Sequence, residues 1–260
     1  MGSSPILGFL LMIKKYILLF FLISFCGLYA FALSLEEISK LNQNTVVTVN
    51  ILKKTGKTHS ASGFIISPQG FVATAAHAVD NAHLINLTFS NGSISEEAKI
   101  IALHKNPKVD LAILKVPVNY IPSVTFKNSN SVQPGQEISV IGSPKRLQNT
   151  ITNGLVSQIR NIDNTTFFQI SAPISPASSG SPVFNQEGQV VAVAVSSLEE
   201  ASVQNINFAI PSNYLLQMMQ ENKITPQIAK GKEPNKVQKY FQDIIEYLKK
   251  CWRIFKNKFA

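Results

Sequence analysis

Ser-Ala-Pro-Ile-Ser-Pro-Ala-Ser-Ser-Gly-Ser-Pro-Val-Phe-Asn, residues 171–185, is the stretch around which the rest of the chain is organised. It lies between two apolar, β-like runs, Phe167–Ile170 and Val190–Val195. Small residues let backbone approach a ligand closely, and Pro176 and Pro182 restrict the path of the chain. A serine held there can present its hydroxyl while neighbouring N–H groups point at one place in space. Those are the requirements of a serine nucleophile and its oxyanion hole. A Ser/Pro surface loop has the same composition, so the stretch alone leaves both readings open.

Upstream, residues 61–79 read Ala-Ser-Gly-Phe-Ile-Ile-Ser-Pro-Gln-Gly-Phe-Val-Ala-Thr-Ala-Ala-His-Ala-Val. Two strand-like runs flank Ser67-Pro-Gln-Gly70, a turn with Pro and Gly in their usual places. The second run ends at Ala75-Ala76-His77-Ala78, and a histidine among alanines can come close to other backbone. A half-buried histidine tying down a turn looks the same. In Lys108–Val116, Asp110 opens an alternating strand with apolar residues on both sides. A carboxylate there must be hydrogen-bonded to be tolerated, and a turn aspartate at a strand start is the plainer alternative.

The remaining body is a series of short strands. Ser34-Leu-Glu-Glu37 looks like a capping box opening a helix to about Leu41. Val46–Leu52 alternates and is β-branched, and Leu84–Phe89 and Ala98–Leu103 flank the hairpin signal Asn91-Gly92. Pro117–Val132 is looser and reads as a link between two halves. Glu137–Gly142, Thr150–Ile159 (interrupted by Gly154), Thr165–Ser171, Val190–Val195 and Ile206–Pro211 follow as strands, with a turn at Asn185-Gln-Glu-Gly188. Such spacing predicts an all-β sandwich or barrel fold. The halves run from about 46 to 117 and from about 133 to 211, inside a domain spanning 33–216.

His77, Asp110 and Ser179 thus occur in that order, each near a strand end. A serine hydroxyl is a weak nucleophile. An imidazole must take its proton, and a carboxylate must orient that imidazole and stabilise its charged form. The order His…Asp…Ser is that of the chymotrypsin-like double barrel. With the blocks Ser62–His77, Val109–Leu114, Ile174–Pro182 and Asn207–Pro211, the chain resembles the HtrA/Deg branch of trypsin-like serine proteases, as a DegP-like protease domain. The ordered blocks fall within residues 46–216, most of the mature chain. The resemblance implies a trypsin-like double β-barrel and an exported serine endopeptidase acting on unfolded or damaged polypeptides. It makes His77 the general base, Asp110 its orienter and Ser179 the nucleophile, with the N–H groups of Ala177 and Ser179 as oxyanion-hole donors. Ser171, Ser175, Ser178 and Ser181 compete for the nucleophile position. Aligning the family pattern Asn-Ser-Gly-Gly-Pro on Gly180 and Pro182 selects Ser179.

Two residues depart from that pattern, Ala177 and Ser181, each where the family usually has Gly. Ala retains an N–H, so the hole is not abolished chemically. Should the position need φ > 0, a Cβ costs on the order of 1 kcal/mol. A protease-like protein that binds peptide as a chaperone, with little or no turnover, is therefore the alternative reading. The same alignment puts Ala194, Val195 and Ser196 along the S1 wall. Pro173, not an acid, stands six residues before Ser179, so a small aliphatic P1 residue is expected. No metal or other cofactor is implied. Family members usually continue into PDZ domains, and the about 50 residues after Pro211 are too few for a further domain of typical size. Family trimers use an aromatic N-terminal segment, and Leu33–Thr45 has none, so a trimer is not implied.

The ends of the chain carry the remaining signals. Lys14-Lys15, the apolar run from Tyr16 and Ala30-Phe31-Ala32 read as a signal peptide cut after Ala32, with Met12 the more conventional start. An uncleaved anchor is the competing reading. Of the 260 residues, 15% are charged and 45% hydrophobic, which excludes bulk disorder. Residues 228–260 hold nine Lys/Arg against three Asp/Glu, most of the net charge of +9. With no helix-turn-helix, zinc finger or phosphate loop, that charge does not indicate nucleic acid. Past a Pro226/Pro234 linker within residues 217–260, Val237, Tyr240, Phe241, Ile244, Leu248 and Phe255 form the apolar face of a basic helix. Such a helix docks on protein or lies on an anionic membrane surface. Cys26 and Cys251 are the two cysteines, so the body has no disulfide and is held by its core.

Overall fold

The computed structural model describes residues 32–229, apart from residues 119, 144–148, 176 and 196–206. Residues 1–31 of the signal segment, the basic tail from 230 onwards and Ser196 lie outside the described residues. The first element forms as its capping box dictates. The Ser34 hydroxyl accepts from the Glu37 N–H at 3.2 Å, and the Glu37 carboxylate accepts from the Ser34 N–H at 2.8 Å. Helix α1, Leu35–Asn42, runs from this cap into a single 3-10 turn, Gln43–Thr45.

The N-terminal half comprises β1 (Val46–Lys53), β2 (Thr58–Ser67), β3 (Phe71–Thr74), a one-turn helix α2 (Ala76–Val79), β4 (Ala82–Thr88), β5 (Lys99–Leu103) and β6 (Ala112–Lys115). Its sheet order is β4-β1-β2-β3-β6-β5. The residues entering β5 return to β4, with Ser95 N–H on Leu87 O at 2.8 Å and Ala98 N–H on Ile85 O at 2.7 Å. The two ends of the sheet are thereby joined into a barrel, which leaves few unpaired edges.

The C-terminal half comprises β7 (Thr125–Phe126), β8 (Glu137–Gly142), β9 (Thr150–Ile162), β10 (Thr165–Ile170), β11 (Pro182–Phe184), β12 (Val190–Val195) and β13 (Asn207–Pro211). β11 pairs with both β8 and β12, so β11-β8-β9-β10-β13-β12 closes on itself. β7 lies parallel to β12 outside that ring. Helix α3 (Ser212–Glu221) then leads to β14 (Gln227–Ile228), parallel to β7. α3 and β14 carry the compact unit past residue 216, to Ala229.

Strand alternation distributes the apolar side chains among three cores. Val47, Val49, Ile51, Ile65, Val72, Leu87 and Leu114 cluster within the first half, and Ile138, Val140, Val156, Phe168, Ile170 and Val183 within the second. Phe64 and Ile66, the neighbours of Ile65, belong instead to a third cluster drawn from both halves, with Phe126, Ile141, Phe184 and Ile210. That shared core joins the barrels. Each fully buried side chain of this size is worth about 1.5–3 kcal/mol. The architecture is the double β-barrel expected of the sequence.

Candidate active site

β3 and β6 pair antiparallel with Thr74 opposite Ala112. The residues just after β3 and just before β6 therefore emerge at the same end of the first barrel. His77 lies three positions beyond Thr74, and Asp110 two positions before Ala112. The segment around His77, expected as a strand end, leaves the sheet at Thr74 and turns into α2. Alanines at 75, 76 and 78 suit a helix, and Ala75 at the N-cap offers no side-chain acceptor. Asp110 supplies the acceptors from across the sheet. Its carbonyl takes the Ala76 N–H at 3.3 Å, and its Oδ1 takes the His77 N–H at 2.7 Å. The other carboxylate oxygen, Oδ2, lies 2.5 Å from His77 Nδ1. The Asp110 carboxylate thus fixes both the backbone and the ring of His77, leaving Nε2 as the ring atom available for proton transfer.

The electrostatics of the pair follow from this contact. The hydrogen bond to Asp110 raises the His77 pKa above the ordinary histidine value. Desolvation opposes that, the negative charge of Asp110 reinforces it, and the Lys53 ammonium pulls it down. Lys53 Nζ donates to Ala78 O at 3.1 Å and also to Asp80 O, at the C-terminal end of α2. His59 Nε2 meets Ala78 O at 2.9 Å. The His77 side chain is 55% exposed and that of Asp110 21%, so the dyad is open to a substrate from one side.

Ser179 lies in the loop between β10 and β11 and is 3% exposed. Its carbonyl accepts the Ser62 N–H of β2 at 3.1 Å. Gly180 follows at φ +89°, and a Cβ there would stand 2.2 Å from Ser62 O, 2.7 Å from Thr74 Oγ1 and 2.9 Å from Ala75 N. Only glycine fits so close an approach. The Ser179–Gly180 backbone therefore rests directly on β2 and on the end of β3, three residues before His77. This contact brings the serine loop of the second barrel to the His77–Asp110 end of the first. On its other side the loop is tied to β12: Gly180 N–H donates to Ala194 O, and Ala194 N–H to Ser181 O, both at 2.8 Å. Gly154 of β9 lets the loop's first residues come as close, since a Cβ there would meet Ala172 N at 2.4 Å.

Within the loop, the Ser178 N–H donates to Ser175 O at 2.9 Å and the Ser181 N–H to Ser178 O at 3.0 Å. The Ser178 backbone is thus held on both sides within the loop. Ala177 has φ +73°. The position usually held by Gly does occupy the left-handed region, and the Ala Cβ costs on the order of 1 kcal/mol there. The Ser181 hydroxyl is fully buried and has no hydrogen-bond partner among the described residues. Ala194 and Val195 are 0% and 5% exposed, with their side chains packed in the cores. Among the described residues, no group of three or more His, Cys, Asp or Glu is placed to hold a metal ion. Nothing in the sequence singles out Ser62 or Thr74, yet Ser62 holds the serine loop and Thr74 holds Ser62. The Thr74 hydroxyl donates to Ser62 O at 2.7 Å. The Ser62 hydroxyl donates to Ala177 O at 2.9 Å and accepts from Ser143 N–H at 2.9 Å.

Known proteins resemble this chain in sequence and fold. Residues 61–193 match the family model of the trypsin-like peptidase domain. A probable periplasmic serine endoprotease, DegP-like, of Chlamydia muridarum is 39% identical over 157 residues, 58% of this chain and 31% of that protein. Among solved structures, the serine endoprotease from Yersinia pestis superposes with a TM-score of 0.64 at 27% identity, covering 72% of this chain and 66% of that one. The HtrA-type protease AlgW with tripeptide gives a TM-score of 0.65 at 25% identity, covering 72% and 63%. The chain spans about a third of the length of the DegP-like relative. With more than half of its residues inside the family match, the chain belongs to the trypsin-like peptidase domain family.

Proposed function

We propose that the chain is an exported serine endopeptidase that cleaves polypeptides with Ser179 as nucleophile. The observation carrying this reading is the Asp110 carboxylate on His77 Nδ1 at 2.5 Å, next to the loop that bears Ser179. Ser179 Oγ attacks the scissile carbonyl carbon as its proton passes to His77 Nε2. The carbonyl oxygen becomes an oxyanion, received by the N–H groups of Ala177 and Ser179. His77 then gives the proton to the departing amine, leaving an acyl group on Ser179. Water, deprotonated by His77, releases it. Asp110 keeps the imidazole oriented and stabilises its charged form throughout.

The names of the DegP-like relatives support the periplasm as the working compartment, consistent with the signal-like residues 1–32. A tripeptide in the AlgW structure supports peptide as the ligand class. The P1 residue is small and aliphatic, with the backbone at Ala194, bonded to the serine loop, as part of the pocket wall. A peptide-library profile dominated by cleavage after Lys or Arg excludes that preference. A fluorophosphonate probe tests the central claim: it labels the wild type and fails to label Ser179→Ala. A wild type that binds unfolded peptide but resists labelling is a chaperone-like binder instead. The basic tail, residues 236–260, contacts an anionic membrane surface. Vesicle flotation unchanged by truncation at Lys232 leaves docking on protein as its role.

A further inference from the structure

We infer that Ser62, on β2 of the first barrel, is the positioning residue that keeps the oxyanion corner at Ala177 in its working conformation. The Ala177–Ser178 peptide is held at both of its polar ends. Its carbonyl accepts from the Ser62 hydroxyl at 2.9 Å, and its N–H donates to Ser175 O at 2.9 Å. In a trans peptide these two groups point in opposite directions, so two bonds on opposite sides fix the plane against rotation. The Ser62 hydroxyl is itself aimed, because it accepts from Ser143 N–H at 2.9 Å and has its proton left for Ala177. The Ser62 backbone is equally committed. Its N–H holds Ser179 O at 3.1 Å, and its carbonyl takes the Thr74 hydroxyl at 2.7 Å. One fully buried residue thus anchors the carbonyls of both proposed oxyanion donors, Ala177 and Ser179.

The anchor matters because residue 177 is not glycine. An L-residue at φ +73° relaxes towards negative φ unless its surroundings over-determine it. With the far side of Ala177 clamped to β2, that relaxation is resisted. Without the Ser62 hydroxyl, the Ala177 carbonyl loses a buried donor and the clamp loses one end. Rotation about the Ala177 N–Cα bond then turns its N–H away from the oxyanion position. Ser62 touches no substrate and acts through Ala177.

This inference rests on Ser179 as nucleophile and the Ala177 N–H as an oxyanion donor, and the full chain tests both on a peptide substrate. Ser62→Ala is expected to lower kcat about 10-fold or more with KM little changed, the signature of a donor used in the transition state. Adding Ala177→Gly is expected to restore most of the loss, since glycine holds positive φ without an anchor. A structural fault at residue 62 would not be repaired by that second change. An unchanged kcat in Ser62→Ala, or an equal loss with Ala and Gly at 177, overturns the inference. Should Ser62→Ala not fold, Ser62→Cys decides, because the thiol fills the site but donates weakly. A folded Ser62→Cys with wild-type kcat overturns the inference, and a reduced kcat recovered by Ala177→Gly supports it. Ser179→Ala separates the two levels. If it still turns over substrate, the nucleophile assignment fails. If it is inactive while Ser62→Ala is unimpaired, only the role of Ser62 fails.

Discussion

The two barrels bring unequal workmanship to the site. On the first, Asp110 satisfies His77 twice over, at backbone and ring, and caps α2 in the same contact. On the second, the serine loop holds an alanine at φ +73° and a buried Ser181 hydroxyl with no described partner. The acid–base half is over-determined by favourable bonds. The half that bears the proposed nucleophile carries strain and a buried hydroxyl without a described partner, and takes its shape in part from Ser62 of the other barrel. Mutations of the His77–Asp110 pair should therefore abolish chemistry, whereas changes at Ala177 and Ser181 should alter stability and efficiency by degrees.

The sharpest way to break this contrast is Asp110→Asn. The amide cannot stabilise a charged imidazole, and it favours the wrong tautomer. The fall in kcat should be about 10⁴-fold, with peptide binding largely kept. Steady-state kinetics check it, and a loss below about tenfold means that Asp110 is not the orienter. The wild-type pH profile adds a second reading. A general base must be neutral, and Asp110 holds the His77 pKa above its ordinary value. The acid limb of kcat/KM should therefore lie above that of an unperturbed histidine. The linkage to folding has the opposite sense. A raised pKa contributes stability fully below the unfolded-state value, and that contribution fades as pH rises through the folded value. The dyad thus becomes active over the range in which its own help to folding declines.

This inequality also marks how far the sequence could be read. His77 and Asp110, which the structure brings into contact, stood out in the sequence because small or alternating residues flank each of them near a strand end. The barrels were legible in strand spacing and turn signals, and the capping box at Ser34 in four consecutive residues. The one-turn helix bearing His77 was not, since its N-terminal acceptors come from Asp110, 33 positions away. Ser62 was still less visible, as its hydroxyl meets Ala177 across 115 positions. Local pattern points to candidate residues. The bonds that hold the loop in shape are long-range, and a serine preceding a glycine on a strand announces none of them.

Two substitutions in the loop probe its intrinsic defects with smaller effects. Ala177→Gly removes the Cβ from a left-handed residue and should stabilise the native state, offset in part by the greater freedom of glycine in the unfolded chain. The expected net gain is up to about 1 kcal/mol by denaturant midpoint. A loss of stability would mean that the left-handed backbone carries no strain. Ser181→Ala deletes a hydroxyl buried without a described partner and keeps the Cβ. Stability should hold or rise by about 1 kcal/mol, whereas deleting a bonded buried hydroxyl typically destabilises. A clear fall in the denaturation midpoint would show that Ser181 is bonded after all.

The smallest expected effect lies back on the first barrel, at Lys53. Its ammonium sits on the carbonyls that end α2 and pulls the His77 pKa down, against Asp110. Lys53→Met removes that charge while keeping most of the apolar stem. Ala78 O retains His59 Nε2 at 2.9 Å, so its carbonyl is not abandoned. The helix end should hold, and kcat at alkaline pH should stay within about twofold, since no group touching the reaction is lost. The acid limb of kcat/KM should shift to higher pH, because the imidazolium is no longer repelled. The shift should shrink as salt is added, as it must for a partly exposed pair of charges. A limb that moves to lower pH, or a shift indifferent to salt, would mean that Lys53 acts by holding the helix end and not through its charge.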